Sequence, residues 1–118
     1  MFVAKRVYEP ATKDDGYRVL VDRLWPRGLT KTQAHVDLWL KEVSPSAELR
    51  NWFKHDPEKW PEFQKRYRAE MKMRPEALAT LRTLGRKHKK VTLLYGAKSE
   101  GQNQAVALLK VLASGKKG

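Results

Sequence analysis

Cysteine is absent from all 118 residues of the chain. The chain therefore forms no disulfide, carries no thiolate nucleophile and offers no cysteine-ligated zinc or iron–sulfur site. Histidine is scarce too, because His35, His55 and His88 are the full set and lack the spacing of metal ligands. We therefore expect neither a metal site nor a cofactor.

Long apolar runs are also missing. The first residues, Met1–Arg6, contain no apolar stretch of signal-peptide length, and no later run approaches the ~20 residues that cross a bilayer. We therefore predict a cytoplasmic protein without a membrane partner. The sequence also lacks a nucleophile-elbow serine, a P-loop and a dinucleotide-binding glycine motif.

Acidic residues are few in the second half of the chain. The formal net charge is +12, and residues 60–118 carry 14 basic and 4 acidic side chains. Such a field attracts polyanions over a Debye length of ~8–10 Å. We therefore expect a nucleic acid or a phosphate-bearing small molecule as partner, with a merely solubilising basic surface as the alternative. Nothing in the sequence specifies an oligomeric state.

Three segments have the composition of β-strands: Phe2–Tyr8, Tyr17–Leu24 and Val91–Tyr95. About eight residues link the first two, and a parallel crossover usually needs a dozen or more. These two strands are therefore expected to pair antiparallel or not to be neighbours, which predicts a mixed sheet.

Helix start signals separate the second strand from the third. Ser44-Pro45 and Asp56-Pro57 each place a capping side chain before a proline, and Pro75 begins a further helix that ends at Gly85. Ser99–Gln102 matches a capping box that opens the last helix. The fold class is thus an α/β sandwich, Rossmann-like, with a small mixed sheet covered by helices. We predict one domain over residues 1–113 and a flexible basic tail over 114–118.

Two segments leave the ends of predicted strands, where open α/β sheets bind ligands. The first, Asp22–Gly28, offers Asp22 as a base or orienting carboxylate, Arg23 and Arg27 as guanidinium forks, and Trp25 as a flat face. Structural roles are the alternative: Asp22 could pair with an arginine, and Trp25 could cover the core.

The second segment, Tyr95–Ser99, opens the last helix. Gly96 permits close approach of a ligand to the backbone, and Lys98 supplies an ammonium group. The free N–H groups and the dipole of a helix start also favour an anion there. The alternative for Ser99 is that it only caps the helix.

His55 and Asp56 form a secondary candidate site. A histidine beside a carboxylate can support general acid–base chemistry. Asp56 followed by Pro57, however, already has a full explanation as a helix cap, and we favour that interpretation. Basic side chains lie on the predicted helix that has an aromatic stripe and on the segments after it. They either form a solvent-exposed face or bind a phosphate backbone. These are Lys65, Arg66, Arg68, Lys72, Arg74, Arg82 and the run Arg86–Lys90.

The segment Gly16–Gly28, GYRVLVDRLWPRG, resembles the defining segment of the YeaO-like bacterial family, domain of unknown function 488. The similarity continues through nearly the whole chain, at Asp37–Lys41, Pro45, Ser46, Leu49, Arg50, Trp52, Phe53, His55–Pro57, Trp60, Phe63, Tyr67, Thr92–Lys98 and Asn103.

The resemblance implies a compact bacterial α/β domain and no established activity. Polar residues that fit the family pattern and fall at strand ends are Asp22, Arg23, Arg27, Lys98 and Asn103. Ser99 stands where the family pattern has Asp, and Gln102 where it often has His. If those two positions carry chemistry in relatives, this chain lacks it or binds more weakly.

Three functions are compatible with these observations. The first is a binding module that holds a phosphate-bearing ligand, a nucleotide or nucleic acid, at the strand-end cleft. The second is an enzyme that acts on a small anionic substrate with Asp22 as base. The third is a structural or interaction protein that has no pocket.

Overall fold

Four short parallel strands form the central sheet of the computed structural model, which describes residues 1–114. They are β1 (Phe2–Arg6), β2 (Tyr17–Leu20), β3 (Leu38–Trp39) and β4 (Val91–Tyr95), in the spatial order β1-β4-β2-β3. Every residue of β4 is buried, as expected of a central strand covered on both faces. The predicted α/β class is confirmed, and β3 is an edge strand that the sequence did not predict.

The predicted mixed sheet is wrong, because all three strand pairs are parallel. β4 lies between β1 and β2, so the first two strands are indeed not neighbours. The ten residues 7–16 return the chain with only one 3₁₀ turn, Lys13–Asp15. A fully extended chain of ten residues can reach about 33 Å, roughly twice the length of a five-residue strand, which leaves length for the turns of this segment. A parallel connection therefore needs no helix here.

Five α-helices complete the fold within residues 1–114. They are α1 (Lys31–Ala34), α2 (Ala47–Phe53), α3 (Trp60–Lys72), α4 (Pro75–Lys87) and α5 (Gln104–Ser114). Ser114, predicted as the first residue of a flexible tail, is the last residue of α5. The remainder of that predicted tail, residues 115–118, lies outside the described residues.

The predicted start of α2 and the predicted end of α4 differ from the observed ones. Ser46, not Ser44, caps α2, since the Ser46 hydroxyl accepts a hydrogen bond from the Leu49 amide at 3.0 Å. Gly85 lies inside α4 rather than at its end, because the ring of Phe2 packs where a side chain would stand. A Cβ atom at Gly85 would come within 2.6 Å of that ring.

The larger hydrophobic core lies between one face of the sheet and the helices α2 to α5. Val19, Val91 and Leu93 face it from the strands, and Phe63 and Leu108 face it from the helices. Every second residue of a strand points to the same face of a sheet, so these positions of β2 and β4 face the same core.

The opposite face of the sheet carries a smaller core and no full helical layer. Leu20 and Leu94 pack there with Val7 and Ala34, and the half-buried Trp25 covers them. Short segments such as α1 supply this cover.

A buried charge cluster lies near the start of β2. The Asp15 carboxylate accepts hydrogen bonds from Lys5 at 2.9 Å, from the Thr12 amide at 3.0 Å and from Arg18. Burial raises the pKa of Asp15, but the hydrogen bonds from Thr12 and Lys5 outweigh burial and lower it to about 2. Asp15 is therefore ionised at neutral pH and fixes the loop that leads into β2.

Candidate functional site

Asp22 joins the loop after β2 to the far end of β4 and the start of α5. One carboxylate oxygen, Oδ2, accepts a hydrogen bond from the Gly96 amide at 2.8 Å, and Oδ1 accepts one from the Gln104 side chain. β2 and β4 are adjacent and parallel, so their carboxyl ends share one edge of the sheet. The structure thus brings together the two segments from which the sequence predicted a cleft.

Burial raises the pKa of Asp22 from 3.8 to about 6. The hydrogen bond from Gly96 and the positive charge of Arg50 act in the opposite direction but do not cancel the effect of burial. Carboxyl groups shifted toward neutrality are concentrated at functional sites, where both protonation states are accessible.

A cavity of about 210 Å³ opens beside Asp22 at this edge of the sheet. Its walls combine apolar surface, including two aromatic rings, with a few polar and charged groups, as ligand sites do. The lining residues are Asp22, Arg23, Leu24, Ser44, Pro45, Arg50, Phe53, His55, Phe63, Ala97 and Gln104.

The segment that carries Ser44 and Pro45 is held in place from α3 and the residue before α4. The Tyr67 hydroxyl donates a hydrogen bond to the Val43 carbonyl at 2.6 Å, and Arg74 donates one to the Ser44 carbonyl at 2.9 Å. This wall of the cavity is therefore anchored by buried contacts rather than formed by a free loop.

Arg23 and Arg50 are exposed at the cavity. Within residues 1–114, neither guanidinium group takes part in a hydrogen bond or an ion pair that meets ordinary distance limits. Guanidinium groups bind carboxylates and phosphates through paired hydrogen bonds. Both side chains are therefore available to an anionic ligand.

Four of the predicted site residues contribute to the cavity or its frame: Asp22, Arg23, His55 and Gly96. Arg23 lines it, and Gly96 lies behind Asp22, where its amide holds the carboxylate. A Cβ atom at Gly96 would lie 3.1 Å from the Asp22 carboxylate, so the glycine permits this close approach.

Trp25 and Arg27 lie away from the cavity. The Trp25 indole donates a hydrogen bond to the Leu29 carbonyl at 2.7 Å and packs edge-to-face with Trp39, at 5.4 Å between ring centroids. Trp25 therefore belongs to the smaller core, the structural alternative considered above. Arg27 is exposed, and its carbonyl accepts a hydrogen bond from the Tyr8 hydroxyl.

Lys98, Ser99 and Asn103 do not line the cavity either. Lys98 is exposed, and the Ser99 hydroxyl accepts a hydrogen bond from the Gln102 amide at 3.1 Å. Asn103 is buried and caps α5, because its side-chain oxygen accepts a hydrogen bond from the Val106 amide at 3.0 Å. The predicted capping interaction of Ser99 thus forms before the helix, and Asn103 is the residue that caps it.

The secondary candidates, His55 and Asp56, have different roles in the structure. Lys54 and His55 both have left-handed backbone conformations, with φ of 46° and 58°, and end α2 so that His55 lines the cavity. Two adjacent non-glycine residues of this kind are uncommon. Asp56 caps the next turn, since its carboxylate accepts a hydrogen bond from the Glu58 amide at 3.0 Å.

The sequence did not identify Arg50, Gln104, Phe53 and Phe63 as site residues. Gln104 occupies the first position of a helix that follows a strand end, a pattern that could have drawn attention to it. Arg50 and Phe53 lie on α2, and no local pattern tells which end of the sheet that helix reaches.

Two of the highlighted basic residues, Arg66 on α3 and Arg74 just before α4, have partners within the fold. Arg66 pairs with Glu62 at 2.9 Å and covers the Trp52 ring at 4.2 Å. Arg74 donates hydrogen bonds to two carbonyls. These two residues are therefore less available to a phosphate backbone than Lys65, Arg68 and Lys72, which are exposed.

Residues 1–114, the described part of the chain, contain neither a clustered set of metal ligands nor a membrane-spanning helix. No group of three or more Asp, Glu, His or Cys side chains lies close enough together there to hold a metal ion. None of the helices in that part has both the length and the apolar character needed to cross a membrane.

Comparison with known proteins places the chain among bacterial relatives. A family model described as the inactive DUF488-N3 subclade matches residues 1–117. The chain is 44% identical over 110 residues to the uncharacterized protein YeaO of Escherichia coli (strain K12). The aligned residues cover 93% of this chain and 95% of that protein. It is 52% identical over 79 residues to the uncharacterized protein Rv3073c of Mycobacterium tuberculosis (strain ATCC 25618 / H37Rv), covering 67% of this chain and 66% of that protein. No solved structure matches.

Proposed function

The chain belongs to the YeaO-like DUF488 family, and from this premise we propose that it binds a small phosphate-bearing anion, such as a mononucleotide, in the cavity beside Asp22. The observation that carries the proposal is a pair of exposed guanidinium groups, Arg23 and Arg50, that make no hydrogen bond within residues 1–114 and line a cavity on the carboxyl edge of the sheet. Ligands of open α/β sheets bind at this edge.

The size of the cavity favours a small ligand. Its volume of about 210 Å³ lies below the ~300–1,000 Å³ of sites for drug-sized molecules. A nucleic-acid strand could not enter it, whereas a mononucleotide or a comparable phosphate ester could place one end inside. Phe53 and His55 would then face the apolar or aromatic part of that ligand, and the arginines would face its phosphate.

Binding without turnover agrees with three observations. Both carboxylate oxygens of Asp22 already accept hydrogen bonds, from Gly96 and Gln104, which suits a structural carboxylate that shapes the cavity. The matching family model is also described as inactive. The sequence departures at Ser99 and Gln102 point in the same direction.

An enzymatic role for Asp22 is the second candidate, and the raised pKa of its carboxyl group is the observation that favours it. A carboxyl group with a pKa of about 6 can give and accept a proton near neutral pH. The substrate would be the same small anion, held by Arg23 and Arg50.

The test is calorimetric titration with inorganic phosphate, adenosine monophosphate and uridine monophosphate at low ionic strength. Charge-assisted hydrogen bonds are worth about 1.5–3 kcal/mol, so Arg50→Gln should weaken binding by about tenfold or more. Arg68→Gln removes the same charge from an exposed position on α3 outside the cavity and should leave affinity nearly unchanged. Absence of binding by the wild type, or equal losses in both variants, would refute the proposal.

Turnover separates the two candidates. A panel of phosphate esters is incubated with the wild type and with Asp22→Asn, and products are followed by liquid chromatography. Binding without any product supports the binding module. If the wild type forms product and Asp22→Asn does not, the protein is an enzyme and the binding-module proposal is wrong.

A further inference from the structure

A second hollow lies at the opposite edge of the sheet, where β2 and β4 begin. Its volume is about 510 Å³, more than twice that of the cavity beside Asp22. Tyr17 is the first residue of β2, and Lys90 directly precedes β4. The residues that line the hollow are Lys13, Asp14, Gly16, Tyr17, Asp37, His88, Lys89 and Lys90. None of them lines the Asp22 cavity.

Two stacked rings form part of the wall of this hollow. The rings of Tyr17 and His88 are nearly parallel, with 4.3 Å between centroids and 15° between planes. Both residues are only half-buried, so part of the ring pair remains accessible. A stacked aromatic surface of this kind can accept another flat ring, such as a nucleobase.

Close backbone contact fixes the ring pair. The Tyr17 amide donates a hydrogen bond to the Lys90 carbonyl at 3.0 Å, and Gly16 lies directly against the same carbonyl. A Cβ atom at Gly16 would come within 2.3 Å of the Lys90 carbonyl oxygen. The sheet therefore holds the rings and the basic segment at a set separation, instead of leaving them on independent loops.

Positive charge surrounds the rings. Lys13, Lys89 and Lys90 line the hollow, and Arg86 and Lys87 precede His88 on the same segment. None of these five side chains forms an ion pair within the described residues. Two carboxylates also line the hollow, those of Asp14 and Asp37. The three lining lysines outnumber these two carboxylates, and Arg86 and Lys87 add positive charge on the chain just before His88.

We propose that this second hollow binds single-stranded nucleic acid, with phosphates on the lysines and one base on the Tyr17–His88 ring pair. Exposed rings beside a basic groove are the pattern by which proteins hold single strands. Bases of a duplex are stacked on one another, so they are not free to occupy such a surface. A volume of about 510 Å³ is large enough for one nucleotide unit of a strand. The site is independent of the function proposed for the Asp22 cavity.

The experiment measures binding of a fluorescein-labelled 12-nucleotide RNA by fluorescence anisotropy over a range of salt concentrations. The double variant Lys13→Gln/Lys89→Gln removes two exposed lysines that line the hollow and should weaken binding by about tenfold or more at low salt. Each phosphate contact on a single strand contributes about 0.7 to the slope of log affinity against log salt, so the slope should fall by about 1.4. The control, Lys65→Gln/Lys72→Gln, removes two exposed lysines of α3 and should retain nearly the wild-type slope. Equal losses in both double variants would overturn the proposed site in favour of diffuse charge attraction.

A second variant tests the aromatic contact separately from charge. Stacking of a base on a side chain is worth ~1–3 kcal/mol, so His88→Ala should weaken RNA binding at least about fivefold and leave the salt slope unchanged. Circular dichroism verifies that each variant is folded, and the lysine variants remain a test if His88→Ala is not. Polyglutamate serves as a competitor of a different class. Displacement of RNA by equal charge concentrations of polyglutamate, together with wild-type affinity in His88→Ala, would contradict the proposal and indicate an acidic protein partner.

Discussion

The Asp22 carboxylate accepts a hydrogen bond from the Gly96 amide at 2.8 Å, across 74 positions of sequence. This contact closes the carboxyl edge of the sheet between the two central strands, β2 and β4. It also places a partly buried carboxyl group behind the arginines of the cavity. A group in this position affects both the stability of the fold and the charge that a ligand meets.

Asp22→Asn should change the pH dependence of stability. Burial raises the pKa of Asp22 to about 6 in the folded protein from 3.8 in the unfolded chain, so the folded state binds the proton more tightly. The free energy of unfolding of the wild type therefore loses about 2–3 kcal/mol as the pH rises from 4 to 7. Asparagine does not titrate and can still accept the hydrogen bond from Gly96. Relative to the wild type, the variant should gain that amount over the same pH range.

Urea denaturation at pH 4, 5, 6 and 7 measures this difference. Asp15 does not interfere with this measurement. Its pKa is lowered from 3.8 to about 2 on folding, so the stability that it contributes is lost only as the pH falls below about 4. A constant difference between wild type and Asp22→Asn over the whole range would show that Asp22 titrates normally.

Asp15→Ala should strongly destabilise the protein. It leaves the charges of Arg18 and Lys5 without their carboxylate, and the side chains of these two residues are only 5% and 17% exposed. Removing one partner of a buried charge cluster costs about 3–5 kcal/mol. Glu62→Ala breaks the exposed pair with Arg66 and should cost less than about 1 kcal/mol. Guanidinium denaturation at pH 7 compares the two, and similar small losses would mean that the cluster is hydrated in solution.

Gly16→Ala should destabilise the fold by more than about 2 kcal/mol, since its backbone has φ of +66° and a Cβ atom would collide with the Lys90 carbonyl. The control is Gly101→Ala, where nothing lies within 4 Å of the added atom. Thermal unfolding followed by circular dichroism should show a large drop in Tm for the first variant and almost none for the second. An unchanged Tm in Gly16→Ala would mean that the approach of residue 16 to β4 is looser than in the structure.

Local signals in the sequence predicted part of this architecture correctly. The apolar run Val91–Tyr95 has the length and composition of a buried strand, and the structure gives the same bounds. Pro75 begins α4 as predicted, because proline fits the first turn of a helix. Strand direction could not be derived in the same way, because it depends on which strand comes to lie between β1 and β2.

The candidate site illustrates the same limit. Asp22 and Gly96 were accessible to prediction, because each follows a strand and the carboxyl ends of parallel strands share an edge. Trp25 was assigned to the same segment, but three residues of chain are enough to carry its ring to the other face of the sheet. Arg50 lies on a helix whose position depends on the packing of the whole core. Its neighbours in the sequence therefore do not indicate that it reaches the site.

Sulfate binding should strengthen as the pH falls from 7.5 to 5. Sulfate stays a dianion throughout this range, whereas Asp22, whose pKa burial raises to about 6, loses its negative charge. Two charges about 4 Å apart near a protein surface interact by about 1–4 kcal/mol, so we expect affinity to rise at least about fivefold. Calorimetric titration at constant ionic strength measures the change.

Two variants assign that pH effect to its source. Asp22→Asn should bind sulfate at pH 7.5 about as tightly as the wild type does at pH 5, and its affinity should vary less with pH. His55 also lines the cavity, so His55→Gln is the control and must retain the effect if Asp22 is responsible. Transfer of the whole effect to His55, with Asp22→Asn behaving as the wild type, would contradict the prediction and identify His55 as the group that governs access of anions to the cavity.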